Sequence, residues 1–207
     1  MRSSSYTIRP GTLPPTIPQK MQSSRGVTTG NVAFPAMRVV SGTARGRRLR
    51  SPQGRSIRPT SDRAREAIFN SLVSVVDLED ASALDLFAGT GALGIEALSR
   101  GAASVTFVDS DRDAIALVAD NLAALGLAGG QVVRADALRF LARADPVDVA
   151  FVDPPYAFDE WPALLARLRA GVAVLESDHP VEAGDAWQVL KVKRYGGTVV
   201  TLVRQKG

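Results

Sequence analysis

The chain has 207 residues, 45% of them hydrophobic, and a formal net charge of +4. That length suits one domain with a full core and an appendage. There is no cysteine and only one histidine, which excludes disulfide frameworks, thiolate zinc sites and cysteine nucleophiles and argues against a histidine-based triad or metal cluster. No apolar run approaches the roughly 20 residues that a membrane span needs, so neither a metal site nor a membrane partner is predicted.

The charge is distributed unevenly along the chain. Residues 1–61 contain ten arginines and one lysine but no acidic residue, whereas the remainder carries 14 basic and all 21 acidic residues. A basic arm on an acidic body is typical of a protein that binds a polyanion, and nucleic acid is favoured over a membrane surface.

Two segments precede the main domain. Residues 1–36 are rich in Ser, Thr, Pro and Gly without any period, which predicts an extended or disordered leader, with Met37 expected to begin the working protein. Residues 37–61 alternate basic with small or apolar residues around glycines, which predicts a basic β-hairpin. Because a two-stranded ribbon is not stable alone, the hairpin should lean on the body or order on binding. Its seven arginines predict phosphate contacts, and a solvated basic face is the alternative.

Residues 62–207 are predicted to form the main domain, in which short apolar strands alternate with helices. That pattern indicates a parallel sheet covered on both faces. Two alternating segments joined at Gly196-Gly197 predict a final antiparallel hairpin. This layout is typical of S-adenosylmethionine (SAM) methyltransferases rather than of dehydrogenases. The predicted strands lie near 83–87, 104–109, 130–134, 147–152, 171–176, 187–195 and 198–204, and the helices near 62–76, 92–100, 111–125, 137–143 and 159–169.

A glycine-rich turn follows the first strand of the main domain. Residues 83–87 are apolar except Asp85, and Gly89, Thr90 and Gly91 come next, which predicts a buried strand, a tight turn and a helix start. Glycines let a ligand lie against the backbone. Burying the Asp85 carboxylate costs free energy unless a donor forms a hydrogen bond with it. The letters also satisfy G-x-G-x-x-G, a weak match on its own, and a turn without a ligand is the alternative.

The next two strands also end in carboxylates. Asp109 lies 18 residues after Gly91, about where an acidic residue would bind ribose hydroxyls; a strand-end carboxylate is the alternative, with Asp111 as the expected helix N-cap. Asp136 follows the third strand and could accept from an adenine amine beside the N–H of Ala137. Helix capping is an equally good explanation of Asp136 and is compatible with ligand binding.

Asp153-Pro154-Pro155-Tyr156 follows the fourth strand and points to methylation of an amine. An exocyclic base amine is a poor nucleophile until acceptors localise its lone pair, and the Asp153 carboxylate and the Pro154 carbonyl can serve. The prolines hold the turn rigid, and a base can stack on Tyr156, worth about 1–3 kcal/mol. A structural Asp-Pro turn is the alternative. Without cysteine, methylation at pyrimidine carbon 5 is excluded, which leaves guanine N2, adenine N6 or cytosine N4.

The motifs together resemble the RsmD family of bacterial 16S ribosomal RNA guanine-N2-methyltransferases. The resemblance lies in residues 37–49, 58–70, 85–91 and 153–156, and the block Arg-Pro-Thr-x-Asp-Arg-x-Arg-Glu-Ala-Ile-Phe-Asn at 58–70 is its most specific part. It spans residues 37–207. It implies a Rossmann-like class I methyltransferase, an α/β fold with a mostly parallel seven-stranded sheet, an antiparallel C-terminal hairpin and an N-terminal extension that engages RNA.

We therefore expect SAM as the cofactor and 16S rRNA within an assembling 30S particle as the partner. We also expect the protein to be cytoplasmic and monomeric. The residues expected to bind SAM are Asp85, Phe87, Gly89, Thr90, Gly91, Asp109, Asp136 and Ala137. The residues expected to orient the base amine are Asp153, Pro154 and Tyr156. The residues expected to bind RNA are Arg38, Arg45, Arg47, Arg48, Arg50, Arg58, Thr60, Arg63 and Arg65.

Three other functions fit parts of the pattern. A DNA adenine-N6 or cytosine-N4 methyltransferase would use the same Asp-Pro-Pro-Tyr motif, but no separate sequence-reading domain is visible. An NAD(P)-dependent oxidoreductase would use the G-x-G-x-x-G motif, but the terminal hairpin and the Asp-Pro-Pro-Tyr motif argue against this function. A non-catalytic RNA-binding protein would need only the basic arm, and would show a steep salt dependence without methyl transfer.

Overall fold

The computed structural model describes residues 5–6, 37–51 and 62–207 of the chain. The predicted RNA contacts Arg58 and Thr60 lie outside the described residues. The strands are β1 (Ser5–Tyr6), β2 (Ser82–Leu86), β3 (Ser104–Asp109), β4 (Gly130–Arg134), β5 (Val147–Val152), β6 (Ala170–Ser177), β7 (Trp187–Tyr195) and β8 (Thr198–Gln205). The helices are α1 (Asp62–Leu72), α2 (Ala92–Ser99), α3 (Arg112–Leu125), α4 (Ala137–Leu141) and α5 (Trp161–Arg167).

All of these strands join one sheet, in the order β1-β4-β3-β2-β5-β6-β8-β7. The five strands from β4 to β6 in that order run parallel, whereas β8 is antiparallel to β6 and β7 is antiparallel to β8. The structure thus confirms the predicted seven-stranded, mostly parallel sheet with an antiparallel C-terminal hairpin. The two-residue strand β1, antiparallel to β4, was not predicted.

Successive side chains of each strand point to opposite faces of the sheet, so the strands contribute to two apolar cores, one on each face. The first core packs α1, α2 and α3 against residues such as Phe107 and Phe151. The second packs α4 and α5 against residues such as Leu86 and Val152. None of the helices among the described residues has both the length and the apolar character that crossing a membrane requires.

Helix α1 is shorter than predicted, because it ends at Leu72 rather than near 76. The next residues are Val73, Ser74, Val75 and Val76, and β-branched residues and serine are weak helix formers. The N–H groups of both Val75 and Val76 donate to the Leu72 carbonyl, which closes the helix in a turn. The apolar period that predicted a longer helix continues through this turn.

Residues 37–50 form a basic hairpin that lies against α2 and α3, and the rest of the predicted hairpin, residues 52–61, lies outside the described residues. Arg38 and Arg48 pair as an antiparallel bridge, and the Leu49 N–H donates to the Met37 carbonyl at 2.8 Å. The side chains of Met37, Val39, Ala44 and Leu49 are buried in the first core. The hairpin therefore gains from the body the stability that two strands alone lack.

The tip of this hairpin is fixed by a buried carboxylate and a glycine. Glu96 of α2 is fully buried and accepts from the N–H groups of Val40 at 2.7 Å and Ser41 at 2.9 Å. Gly42 has a φ of +80°, and a Cβ there would lie 1.6 Å from the Ser99 carbonyl oxygen. Only glycine lets the turn approach α2 so closely.

Candidate active site

The glycine turn and the Asp-Pro-Pro-Tyr corner lie side by side, because they follow neighbouring parallel strands. Leu86 at the end of β2 pairs with Val152 at the end of β5. The Asp153 N–H lies 3.4 Å from the Leu86 carbonyl oxygen. In open α/β sheets, ligands bind in the crevice beyond the carboxyl ends of such strands.

The glycine turn is held open by hydrogen bonds on both of its sides. Gly89 and Gly91 have φ values of +54° and +76°, the left-handed region that favours glycine. The Gly89 N–H donates to Asp109 Oδ2 at 2.9 Å, and the Gly94 N–H, in the first turn of α2, donates to Asp85 Oδ2 at 2.9 Å. A Cβ at Gly89 would meet nothing nearer than the Phe87 carbonyl oxygen at 3.8 Å, so the space beside the turn is open.

Phe87 adds local strain to this turn. Its φ of +58° is rare for a bulky residue, and such a conformation costs about 1–3 kcal/mol and persists only where its surroundings enforce it. Its ring packs edge-on against Phe158 at a centroid distance of 5.3 Å, and Phe158 packs in the same way against Trp161 at 5.4 Å. This aromatic row joins the glycine turn to the loop after Asp-Pro-Pro-Tyr.

Three carboxyl groups lie near this edge, and two of them raise the pKa of the third. Asp85 is 2% exposed; burial raises its pKa well above the usual range, the Gly94 hydrogen bond opposes that shift, and Asp153 and Asp109 raise the pKa further. Burial also raises the pKa of Asp153 to about 6. The described residues include no group of three or more acidic or histidine side chains placed to hold a metal ion. A cationic organic ligand would relieve this repulsion, and an anionic ligand would increase it.

The other predicted cofactor residues lie at the ends of β3 and β4. Asp111 caps α3 by accepting from the Asp113 N–H, so Asp109 is not the cap. Asp136 caps α4 by accepting from the Arg139 N–H at 3.0 Å, and Ala137 is buried at the start of that helix. The capping interpretation of Asp136 is therefore observed, and ligand binding by the same residue stays a prediction.

Thr90 points away from the open side of the turn. Its hydroxyl lies 3.7 Å from Met37 Sδ, and its carbonyl accepts from Asn121 Nδ2 at 3.0 Å. The side chain of Thr90 is thus engaged with Met37, and SAM binding by Thr90 stays a prediction.

The Asp-Pro-Pro-Tyr corner presents a carboxylate and an aromatic ring. Asp153 is half-buried and Pro154 is buried, whereas Tyr156 is 47% exposed. The Tyr156 hydroxyl lies 3.1 Å from the Thr198 hydroxyl at the start of β8. The tyrosine is thus anchored at its tip while its ring stays open to a stacking partner.

Arg65 was wrongly predicted to bind RNA. Its side chain is fully buried behind the hairpin. Its Nη2 donates to Asp62 Oδ1 at 2.8 Å and to the Arg38 carbonyl, and its Nε lies 3.7 Å from Glu96 Oε2. It fastens α1 to α2 and the hairpin, because a buried guanidinium needs a carboxylate partner.

The other described arginines of the basic segment are exposed. Arg38 donates to the Gly46 carbonyl, Arg47 donates to the carbonyls of Ala124 and Leu125 at the end of α3, and Arg50 pairs with Asp120. These contacts orient the guanidinium groups without burying them. The exposed set that stays available for phosphates comprises Arg38, Arg45, Arg47, Arg48, Arg50 and Arg63.

Two buried polar residues near the site were missed by the sequence reasoning. Asn121 accepts from the Arg50 N–H at 2.8 Å and donates to the Thr90 carbonyl, so it connects the hairpin to the glycine turn. Glu176 is 1% exposed and follows Leu175, the partner of Val152 across β5 and β6. Each is a polar residue on an apolar, buried face, the signal that singled out Asp85.

Comparison with solved structures identifies the class of the fold. The architecture is that of a Rossmann-like methyltransferase: a solved Escherichia coli structure, YhhF, provisionally named a methyltransferase, matches with a TM-score of 0.74 and 34% identity, over 83% of this chain and 99% of that one. The model of the family described as conserved hypothetical protein 95 matches residues 37–204. The chain belongs to this family, which is the RsmD family of the sequence resemblance.

Two curated relatives are similar over different shares of their length. Ribosomal RNA small subunit methyltransferase D of Escherichia coli is 46% identical over 121 residues, 58% of this chain and 60% of that protein. The chain thus matches less than two thirds of that relative. YlbH of Bacillus subtilis, provisionally named an rRNA methyltransferase, is 40% identical over 83% of this chain and all of that protein.

The carboxyl pKa values give opposite pH dependences for two aspartates. Because the folded-state pKa of Asp153 is raised to about 6, folding holds a proton that the unfolded chain releases above about pH 4. Replacing Asp153→Asn should therefore increase the free energy of unfolding relative to the wild type, progressively from about pH 4 to pH 7. Urea unfolding at a series of pH values measures this difference.

Asp148→Asn is the matched control, because Asp148 lies in β5, the strand that leads to Asp153. Hydrogen bonds from the Ser82 hydroxyl and N–H lower the pKa of Asp148, so its carboxylate stabilises the fold at neutral pH. That variant should lose stability at pH 7 and approach the wild type on acidification. Parallel pH profiles for the two variants would contradict the account.

Proposed function

We propose that this protein is a SAM-dependent methyltransferase that methylates the exocyclic N2 amine of a guanine in 16S rRNA of the assembling small ribosomal subunit. The observation that carries the proposal is the juxtaposition of the two loops: the Asp153 N–H and the Leu86 carbonyl oxygen are 3.4 Å apart. A donor on the glycine turn and a base at the Asp-Pro-Pro-Tyr corner would therefore meet.

The residues around the glycine turn fit SAM better than a dinucleotide. The open space at Gly89 admits a ligand against the backbone, and Asp109 and Asp136 would accept from ribose hydroxyls and an adenine amine. SAM supplies an electrophilic methyl group on a positively charged sulfonium. The carboxyl groups of Asp109 and Asp153, which raise the pKa of Asp85, favour such a cation together with Asp85 and disfavour the pyrophosphate of NAD.

At the Asp-Pro-Pro-Tyr corner, the chain's own groups would prepare the amine. The Asp153 carboxylate and the Pro154 carbonyl accept the two N2 hydrogens and localise the nitrogen lone pair. As the nitrogen–methyl bond forms and the sulfur–methyl bond breaks, the surplus proton passes to Asp153. A pKa of about 6 for this group makes it a suitable proton acceptor near neutral pH. Tyr156 offers its exposed ring to the base.

Guanine is favoured over adenine and cytosine by the carboxylate at this corner. Guanine carries an N–H at N1 beside the N2 amine, whereas the ring nitrogen beside the amine of adenine or cytosine is an acceptor. An ionised carboxylate such as that of Asp153 only accepts hydrogen bonds, so it suits a base edge that offers only donors. The small-subunit rRNA substrate is supported by the name of the Escherichia coli relative, ribosomal RNA small subunit methyltransferase D.

The basic hairpin would hold RNA phosphates beside the site. Its exposed arginines project from a ribbon that Glu96 and Asn121 fix to α2 and α3, so the charges are presented on a rigid support. Phosphate contacts of this kind give sequence-independent affinity that falls steeply with salt. We place the protein in the cytoplasm, acting as a monomer on RNA within the 30S particle.

The rival functions fit the structure less well. The described residues contain no additional domain that would read duplex DNA. An oxidoreductase would have to bring pyrophosphate to a glycine turn surrounded by carboxyl groups. A purely RNA-binding protein would not explain why Asp153 raises the pKa of Asp85 beside the glycine turn.

Methyl transfer to isolated 30S particles lacking the modification tests the proposal. Purified protein and tritiated SAM should label 16S rRNA and leave duplex DNA unlabelled. Asp153→Ala should reduce the rate at least about 100-fold while S-adenosylhomocysteine (SAH) still binds. Asp148→Ala, an exposed carboxylate at the other end of β5, should keep its rate. Labelling of DNA alone, or an unchanged rate in Asp153→Ala, would overturn the proposal.

A pair of glycine variants tests the cofactor assignment separately. Gly89 and Gly126 have similar φ values of +54° and +65°, and a Cβ at either position meets no close atom. Alanine should therefore cost about 1 kcal/mol of stability at each. Only Gly89→Ala should weaken SAH binding in calorimetry, by at least about 10-fold, because its methyl group would occupy the ligand's space. Equal SAH affinity in the two variants would count against this site.

A further inference from the structure

The C-terminal hairpin is a second basic, acid-free segment. Residues 187–207 carry five basic side chains and no aspartate or glutamate, although the chain from residue 62 onward is net acidic. Three of the four lysines in the chain lie here. Lysines on an edge strand such as β7 also discourage edge-to-edge aggregation, so position and neighbours must decide what these lysines do.

Two of these lysines line a groove between α1 and the hairpin. The groove is shallow and is lined by Ile68 and Ser71 of α1 and by Lys191, Lys193 and Tyr195 of β7, among others. Alternate residues of a strand share one face, so the three β7 side chains line the groove together. Lys191 Nζ donates to the Ser71 hydroxyl at 3.0 Å, and Lys193 Nζ lies 5.2 Å from the Tyr195 ring centroid.

The groove adjoins the Asp-Pro-Pro-Tyr corner. Tyr195 pairs with Thr198 across the hairpin turn, and the Thr198 hydroxyl lies 3.1 Å from that of Tyr156. Tyr156 is the residue with the exposed ring beside Asp153. A nucleic-acid strand leaving the proposed base pocket therefore meets the Tyr195 end of the groove first and the two lysines next.

We propose that this groove binds the RNA strand flanking the target nucleotide, with Lys191 and Lys193 on phosphates and Tyr195 against a sugar or base. The inference rests on the proposed function but uses none of the N-terminal arginines. Single-stranded nucleic acid is commonly held by a positive groove that contains an aromatic side chain, and both features are present here. The hairpin thus completes the substrate site on the side of the corner away from the glycine turn.

Binding of radiolabelled 16S rRNA at several salt concentrations, with SAH present, tests the groove. The double variant Lys191→Gln/Lys193→Gln should bind the RNA about 10-fold more weakly near physiological salt. The slope of log affinity against log salt should fall in magnitude by about 1.4, because two contacts at about 0.7 each are lost. In methyl transfer the KM for RNA should rise while kcat changes little, and SAH affinity and unfolding should match the wild type.

The matched control is Arg143→Gln/Arg167→Gln. Both arginines are exposed and follow α4 or end α5, on the opposite face of the sheet, so RNA affinity and salt slope should not change. Unchanged binding in the lysine variant, equal losses in both variants, or aggregation of the lysine variant at unchanged affinity would overturn the inference. Lysine-dependent binding without methyl transfer would instead contradict the proposed function alone.

Discussion

The site depends on two carboxylates that hold a strained glycine turn open. Asp85 accepts from the Gly94 N–H and Asp109 accepts from the Gly89 N–H, both at 2.9 Å, so the turn is fixed from β2 and from β3. Removing the Asp85 carboxylate would leave the buried Gly94 N–H unsatisfied, which costs about 1–3 kcal/mol. Because β5 lies next to β2, the same arrangement fixes the Asp-Pro-Pro-Tyr corner.

The hydrogen bonds that shape the turn also set its charge. Burial and mutual repulsion raise the pKa of Asp85, and burial raises that of Asp153 to about 6. The free protein therefore holds negative charge here at a cost, which a positively charged ligand would reduce. The proposed preference for a sulfonium donor and the proposed role of Asp153 as proton acceptor both follow from the crowding of carboxyl groups at this edge of the sheet. Carboxyl groups with perturbed pKa values in a cleft are typical of functional sites.

The sequence predicted the fold well and the contacts between elements poorly. Short apolar strands, glycine turns and Gly196-Gly197 are local signals, and each strand of the seven-stranded sheet was placed from them. Arg65 was assigned to RNA because its segment is basic, but its partner Glu96 lies 31 positions away and the pairing exists only after packing. The left-handed backbone of Phe87 likewise has no local signal, and its ring packs on Phe158, which is distant in the sequence.

The proposed SAM site is tested most directly by measuring the protons that are released when SAM and SAH bind. The two ligands differ only in the methyl group and positive charge of the sulfonium. Calorimetry near pH 6, in buffers of different ionisation enthalpy, should show that SAM binding releases more protons than SAH binding, because the sulfonium lowers the pKa of the nearby carboxyl groups. Equal proton release by the two ligands would mean that the carboxyl groups do not face the sulfonium, and would contradict the proposed site.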